Sequence, residues 1–284
     1  MSKPKLIFVP GAWHTPSVFS RLIDRLSTHG YVSQGLSLPS VGAKPGLPDF
    51  NADVSALQDL ITKSVSAGED VIVVLWSYGG VIGTEGVLPS MLKSKREAEG
   101  KLGGIVHLVF LAAPALKVGM SVKRSNPDKT PEDAGELAFF DEEAATVTIN
   151  PIHAPSLIYN DVEDQEVVKE LVAGMKSMSV GALGSELTRA AWEYTPATFV
   201  ICEKDFGLPV KLAEEQLKAA RESVPEAFQR VERCAAGHVP FVSMPGRVVE
   251  ILRRVAGEAV WTLASLFLDS MHRNSDFLHV NCIY

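Results

Sequence analysis

A serine, an aspartate and a histidine, in that order along the chain, have the types needed for nucleophilic catalysis. Ser77 lies in Leu75-Trp76-Ser77-Tyr78-Gly79-Gly80, where the apolar run 71–75 gives way to a helical pattern. A serine hydroxyl is a weak nucleophile until a base takes its proton, and that base needs a carboxylate to orient it. A sharp strand-to-helix elbow lifts such a serine above the sheet edge, and small residues just after it permit the turn. Gly79 and Gly80 supply them. The usual elbow also has glycine two positions before the serine, and this chain has Leu75 there. A leucine is tolerated if its side chain points away from the following helix. Taken alone, the segment equally suits an ordinary strand–helix turn.

The partners decide between those readings. Asp205 follows a late apolar run, in Cys202-Glu203-Lys204-Asp205-Phe206-Gly207, where a loop carboxylate is free to reach a histidine. Glu203 is the rival, but it sits closer to the strand end. His238 lies in Ala235-Ala236-Gly237-His238-Val239-Pro240, a loop shaped by Gly and Pro after the last strand pattern. Asp205 as a helix-starting turn residue and His238 as a surface-loop histidine are the structural alternatives. His29 reads as a helix cap beside Gly30, and His107 as a core residue in a strand. The oxyanion of acyl transfer needs two fixed N–H donors. The expected pair is Tyr78, directly after the serine, and Ala12, in the loop Val9-Pro10-Gly11-Ala12-Trp13-His14. Trp13, His14 and Trp76 flank these positions and are candidate substrate contacts, as are Met175 and Met178 farther along.

Around these residues the chain alternates strand and helix. Runs at 5–9, 31–38, 71–75, 105–112, 197–203 and 227–233 read as strands, and continuous β-branched runs suit a parallel sheet buried on both faces. Helical spacing appears at 18–29, at 54–65, from 78 to about 95 with Pro89 as a kink, at 211–223 and at 247–269; the charged stretch 93–101 reads as a solvated turn. Between 114 and 194 the rhythm breaks, with acidic stretches and apolar helical pieces. The expectation is an α/β fold: an open parallel sheet with helices on both faces. Residues 1–114 and 195–284 form its core, and residues 115–194 an inserted helical lid. Leu171, Met175, Met178 and Leu183 would give that lid an apolar underside, although helix packing explains them as well.

Composition narrows the function classes. The 284 residues carry a net charge of −7 and are 46% hydrophobic and 21% charged, ordinary globular usage. An acidic chain is a poor nucleic-acid partner. No run reaches the ~18 apolar residues of a membrane span, and the N-terminal apolar run is too short for a secretory signal, so a cytoplasmic protein is expected. Three cysteines, Cys202, Cys234 and Cys282, make no disulfide framework or zinc spacing. Cys202 and Cys234 end neighbouring strand patterns, close enough in sequence to Asp205 and His238 for their oxidation state to touch the site. No metal and no cofactor is implied.

Together these residues resemble the α/β-hydrolase superfamily over residues 4–268. The chain is more closely similar to compact members typified by plant methylesterases and hydroxynitrile lyases, and to stand-alone fungal hydrolases of secondary-metabolite pathways. Phe8-Val9-Pro10-Gly11-Ala12-Trp13-His14, Ser77-Tyr78-Gly79-Gly80, Tyr159-Asn160-Asp161, Cys202-Glu203-Lys204-Asp205 and Gly237-His238 carry the resemblance. Pro10-Gly11 stands where the family has His-Gly. The resemblance implies an α/β-hydrolase fold with about six parallel strands and a Ser77–His238–Asp205 triad. Epoxide hydrolases and haloalkane dehalogenases place Asp at the Ser77 position. Hydroxynitrile lyases of this type place Lys where this chain has Val239. The expected activity is hydrolysis of an ester, thioester or lactone of a mid-sized hydrophobic acyl substrate, free or carried on CoA or a carrier protein. Acyl transfer or lactone formation by a thioesterase of a polyketide-type pathway would use the same residues. A small-molecule receptor on a hydrolase scaffold is the reading from another class, supported by the bulk of Leu75 and Trp76 at the elbow. The oligomeric state and the role of residues 270–284 are not legible.

Overall fold

The computed structural model describes residues 3–125 and 136–260. Its strands are β1 (Lys5–Val9), β2 (Ser33–Gly35), β3 (Asp70–Trp76), β4 (Gly104–Leu111), β5 (Ala138–Asp141), β6 (Thr146–Ile149), β7 (Met178–Ser179), β8 (Ala197–Cys202) and β9 (Arg230–Cys234). Six of them form one sheet in the order β2-β1-β3-β4-β8-β9, every neighbouring pair parallel. The continuous runs in β1 and β3 are buried on both faces, as their composition predicts. Alternation sorts their side chains. Ile7, Val9, Val73 and Leu75 face the helices Asn51–Ser66, Gly79–Gly86 and Val210–Ser223, while Leu6, Phe8, Val74 and Trp76 face Ser20–Thr28 and Pro245–Val255.

The structure corrects the sequence reading in several places. The helix expected from 78 to 95 ends at Gly86, and Pro89 starts a separate single turn, Pro89–Met91. Proline cannot supply the N–H of a continuing helix, so it breaks the element rather than bending it. The stretch 93–101 is helical over Lys93–Ala98, and Arg96 secures it by donating to the carbonyls of Val65 and Gly103. The last helix stops at Val255, with Gly257 at φ +87° just beyond. Residues 256–260 are not helical, and residues 261–269 of the expected helix, Cys282 and the segment 270–284 lie outside the described residues. No helix among the described residues is long and apolar enough to cross a membrane.

The segment between β4 and β8 is not purely helical. It carries the antiparallel sheet β5-β6-β7 besides the helices Ala154–Leu157, Gln165–Gly174 and Val180–Gly184. Strands of two to four residues are too short to display a period of two, which is why the sequence pattern hides them. This segment joins both apolar clusters. Val147, Met178 and Leu187 pack with one, and Ile149, Ile158, Tyr159 and Val168 with the other, so it straddles the sheet's carboxyl edge.

Candidate active site

Ser77 sits directly after β3 with φ +53°, a conformation that costs a non-glycine residue about 1–3 kcal/mol. Its neighbours explain how the turn is held. Gly79 presses on the end of β1, where a Cβ would fall 2.9 Å from the Val9 carbonyl carbon. Leu75 points toward the following helix and fills the space left by Gly83. A Cβ at Gly83 would lie 2.9 Å from Leu75 Cγ and closer still to its methyls. The glycine missing before the serine is thus matched by one a turn farther into the helix. Trp76 faces the opposite side, where its indole N–H donates to the His238 carbonyl at 2.7 Å.

Side chains from three sheet-edge loops converge here. Ser77 Oγ is 2.8 Å from His238 Nε2, and His238 Nδ1 is 2.9 and 3.0 Å from the two Asp205 oxygens. An ionised carboxylate only accepts, so the imidazole proton sits on Nδ1 and Nε2 is left to accept from the Ser77 hydroxyl. Asp205 and His238 are both buried. Asp205 is fixed by the N–H groups of Gly207 and Leu208, at 2.7 and 2.8 Å. Its rival Glu203 pairs instead with Arg233 at the surface.

The loop after β1 runs against the elbow, so that a Cβ on Gly11 would lie 3.0 Å from Ser77 Cβ. Neither the Ala12 nor the Tyr78 amide donates to another described residue. Trp13, at φ +65°, is tied to the inserted segment: its indole N–H donates to the Val147 carbonyl at 3.1 Å, and its own carbonyl accepts from the Lys176 N–H. His14 is buried. Its Nδ1–H donates to the Ala12 carbonyl and its Nε2 accepts from the Tyr159 hydroxyl, both at 2.6 Å. Burial holds its pKa down at about 4, so it is neutral at pH 7. Met175 packs half-buried on the Trp76 side of the sheet, whereas Met178 is fully buried on the other side.

Two further groups were given no role by the sequence. Asp53, fully buried, accepts from the Ser40 hydroxyl and N–H and from the Tyr78 hydroxyl at 3.0 Å, and so steadies the residue next to Ser77. In the sequence it is simply an acidic residue in a helix's first turn. Tyr159-Asn160-Asp161 stands out only through the resemblance, which assigns it no task. Cys202 and Cys234 pair directly across β8 and β9 as free buried thiols, Sγ to Sγ 3.4 Å, and burial with the neighbouring sulfur keeps Cys202 protonated.

A family model described as "Alpha/beta hydrolase family" matches residues 6–251. The chain belongs to the alpha/beta hydrolase family. This hydrolase-family chain is 32% identical over 260 residues to "Alpha/beta hydrolase nvfD" of Aspergillus novofumigatus, covering 92% of this chain and 99% of that protein. It is 28% identical to "Probable hydrolase R7" of a Phoma species, covering 90% and 100%. Among solved structures, a pyrethroid hydrolase from Sphingobium faniae superposes with a TM-score of 0.66 at 17% identity, over 90% of this chain and 98% of that one. Tomato methylketone synthase I complexed with 2-tridecanone gives 0.67 at 16% identity, over 90% and 99%. These two likenesses carry the alpha/beta hydrolase fold.

Proposed function

We propose that this alpha/beta hydrolase is a serine esterase or thioesterase working through an acyl-enzyme. The observation that carries the reading is the unbroken chain from Ser77 Oγ through His238 to Asp205, built on a serine held at φ +53°. In the first step His238 Nε2 takes the Ser77 proton while Oγ bonds to the substrate carbonyl carbon. The Ala12 and Tyr78 amides receive the oxyanion. The intermediate collapses, the C–O or C–S bond breaks, and His238 hands its proton to the departing alcohol or thiol. Water then attacks the acyl-serine with His238 as base; the acid leaves and Ser77 regains its proton. Asp205 holds the imidazole in the useful tautomer and balances its charge.

The substrate fits a mid-sized hydrophobic acyl group. Trp13, beside Ala12, and Leu171, Met175 and Leu183 of the insertion are only partly buried and offer apolar surface. Residues 115–194 would act as the cap, with residues 1–114 and 195–284 as the catalytic body. The receptor alternative drew on crowding at Leu75 and Trp76, but both side chains leave Ser77 within bonding distance of His238. The test is hydrolysis of p-nitrophenyl esters and acyl-CoA thioesters of rising chain length. Ser77→Ala should lower kcat/KM by about a thousandfold or more. An unchanged kcat/KM would overturn the reading.

A further inference from the structure

Beside its contacts with Trp13, the inserted segment reaches the site at the tripeptide Tyr159-Asn160-Asp161, and each of its residues holds a different loop. Tyr159 donates its hydroxyl proton to His14 Nε2 at 2.6 Å, and His14 passes the constraint to the Ala12 carbonyl at 2.6 Å. Asn160 Nδ2 donates to the Lys204 carbonyl at 2.9 Å, one residue before Asp205. The Gly237 N–H, one residue before His238, donates to Asp161 Oδ2 at 2.6 Å. The three loops supply an oxyanion donor, the acid and the base.

We propose that Tyr159-Asn160-Asp161 is a three-point positioning element for the Ser77 site, setting the loops of Ala12, Asp205 and His238 relative to one another. This rests on the serine-hydrolase reading above. Strands β1, β8 and β9 fix where each loop starts, and the Lys204 N–H on the Ala236 carbonyl ties the loops after β8 and β9 together; Asp205 and His238 lie one and two residues beyond that tie. Catalytic geometry is demanding, and a displacement near 1 Å costs about a hundredfold in rate. Hydrogen bonds to the backbone beside Asp205 and His238, and through His14 to the Ala12 carbonyl, limit that displacement without occupying the functional side chains.

The fit at Gly237 shows how closely the clasp is drawn. A Cβ there would lie 2.6 Å from Asp161 Oδ1 and still nearer to Asn160 Oδ1, so a larger residue would push these side chains out of place. Asn160 Oδ1 and Asp161 Oδ1 are buried without a partner among the described residues. Buried unpaired acceptors cost stability. A segment serving stability alone gains nothing from them, whereas one serving geometry needs the side chains where they are.

The experiment measures fluorophosphonate labelling rates and ester kcat and KM, with thermal melting as a check on folding. It compares wild type with Asp161→Ala, Asp161→Asn and Tyr159→Phe. Absence of Ser77 labelling in folded wild type would overturn the serine-hydrolase reading, and this proposal with it. Given labelling, Asp161→Ala should label and turn over about 10–100-fold more slowly with KM little changed. Asp161→Asn keeps an oxygen for the Gly237 N–H and should recover most of that loss. Tyr159→Phe keeps the ring's packing and should lose about tenfold in kcat, which preserves the test if Asp161→Ala fails to fold. Wild-type kcat in folded Asp161→Ala, or in Tyr159→Phe, would overturn the proposal and leave the serine-hydrolase reading intact. Equal losses in Asp161→Ala and Asp161→Asn would also overturn it, because the charge and not the hydrogen bond would then be at work.

Discussion

The elbow at Ser77 and the clasp at Tyr159–Asp161 meet at one site but are built by different means. The elbow is a matter of backbone and volume. β3 delivers Ser77, Gly79 lets the helix touch β1, and Leu75 occupies the space that Gly83 vacates. The clasp consists of side-chain hydrogen bonds to loops up to 145 residues away in sequence, two of them to backbone atoms and one to the His14 ring. One region depends on residues that are missing atoms, the other on single polar atoms. Changes to the elbow should therefore be felt as steric conflict, and changes to the clasp as lost rate.

Predictions that break or sharpen this contrast run from large to small. On the side built by the core, Asp205→Asn leaves the shape intact but puts the imidazole proton on the wrong nitrogen. Its kcat should fall by about ten-thousandfold, read in ester hydrolysis by the purified variant.

Acid should weaken the fold, including the seam where His14 meets Tyr159 of the insertion. Burial lowers the pKa of His14, at the seam, and of His107, inside the sheet, each from 6.5 to about 4. The unfolded chain takes up these protons below 6.5, while the folded one refuses them until about 4. Stability present above pH 6.5 is therefore lost as pH falls toward 4, by at most about 3 kcal/mol per histidine. Urea unfolding at pH 7 and pH 4.5 should show this loss, and His14→Gln or His107→Gln should each reduce it.

At the elbow, Gly83→Ala drives a methyl into Leu75 and should lower unfolding free energy by about 1–3 kcal/mol. Leu75→Ala in the same chain should relieve that strain, so the double variant is less destabilised than the sum of the singles. Additive losses would mean that the two positions do not compensate each other. The smallest effect is expected at Trp76→Phe. It keeps an aromatic ring against Phe241 but removes the donor to the His238 carbonyl and leaves a gap at a fully buried position, so kcat should fall by about tenfold and the melting temperature should fall as well.

The same contrast explains what the sequence made legible. The α/β fold, its six-stranded parallel sheet and the meeting of Ser77, Asp205 and His238 follow from runs of apolar residues and from loop positions just after them. These signals are local. The direction of Leu75 was not legible, because it depends on the absence of a side chain eight residues later. Asp53 was equally hidden, since an acidic residue in a helix's first turn looks ordinary until Ser40 and Tyr78 fold over it. Strands β5 to β7 are too short to show alternation. The resemblance marked Tyr159-Asn160-Asp161 without a task, because the partners of Asn160 and Asp161 are backbone atoms, which carry no residue identity, and Tyr159 meets His14 from 145 residues away. His14 reads from sequence as a substrate contact, yet the structure buries it between the Ala12 carbonyl and Tyr159.

The central claim is that Ser77 is an activated nucleophile, and intact mass after treatment with a fluorophosphonate tests it most directly. The account predicts one adduct on the folded wild-type protein, mapped to the peptide containing Ser77, absent in Ser77→Ala and lost or greatly slowed in His238→Ala. A folded wild-type protein that takes no adduct, or takes it equally well without Ser77, would contradict it.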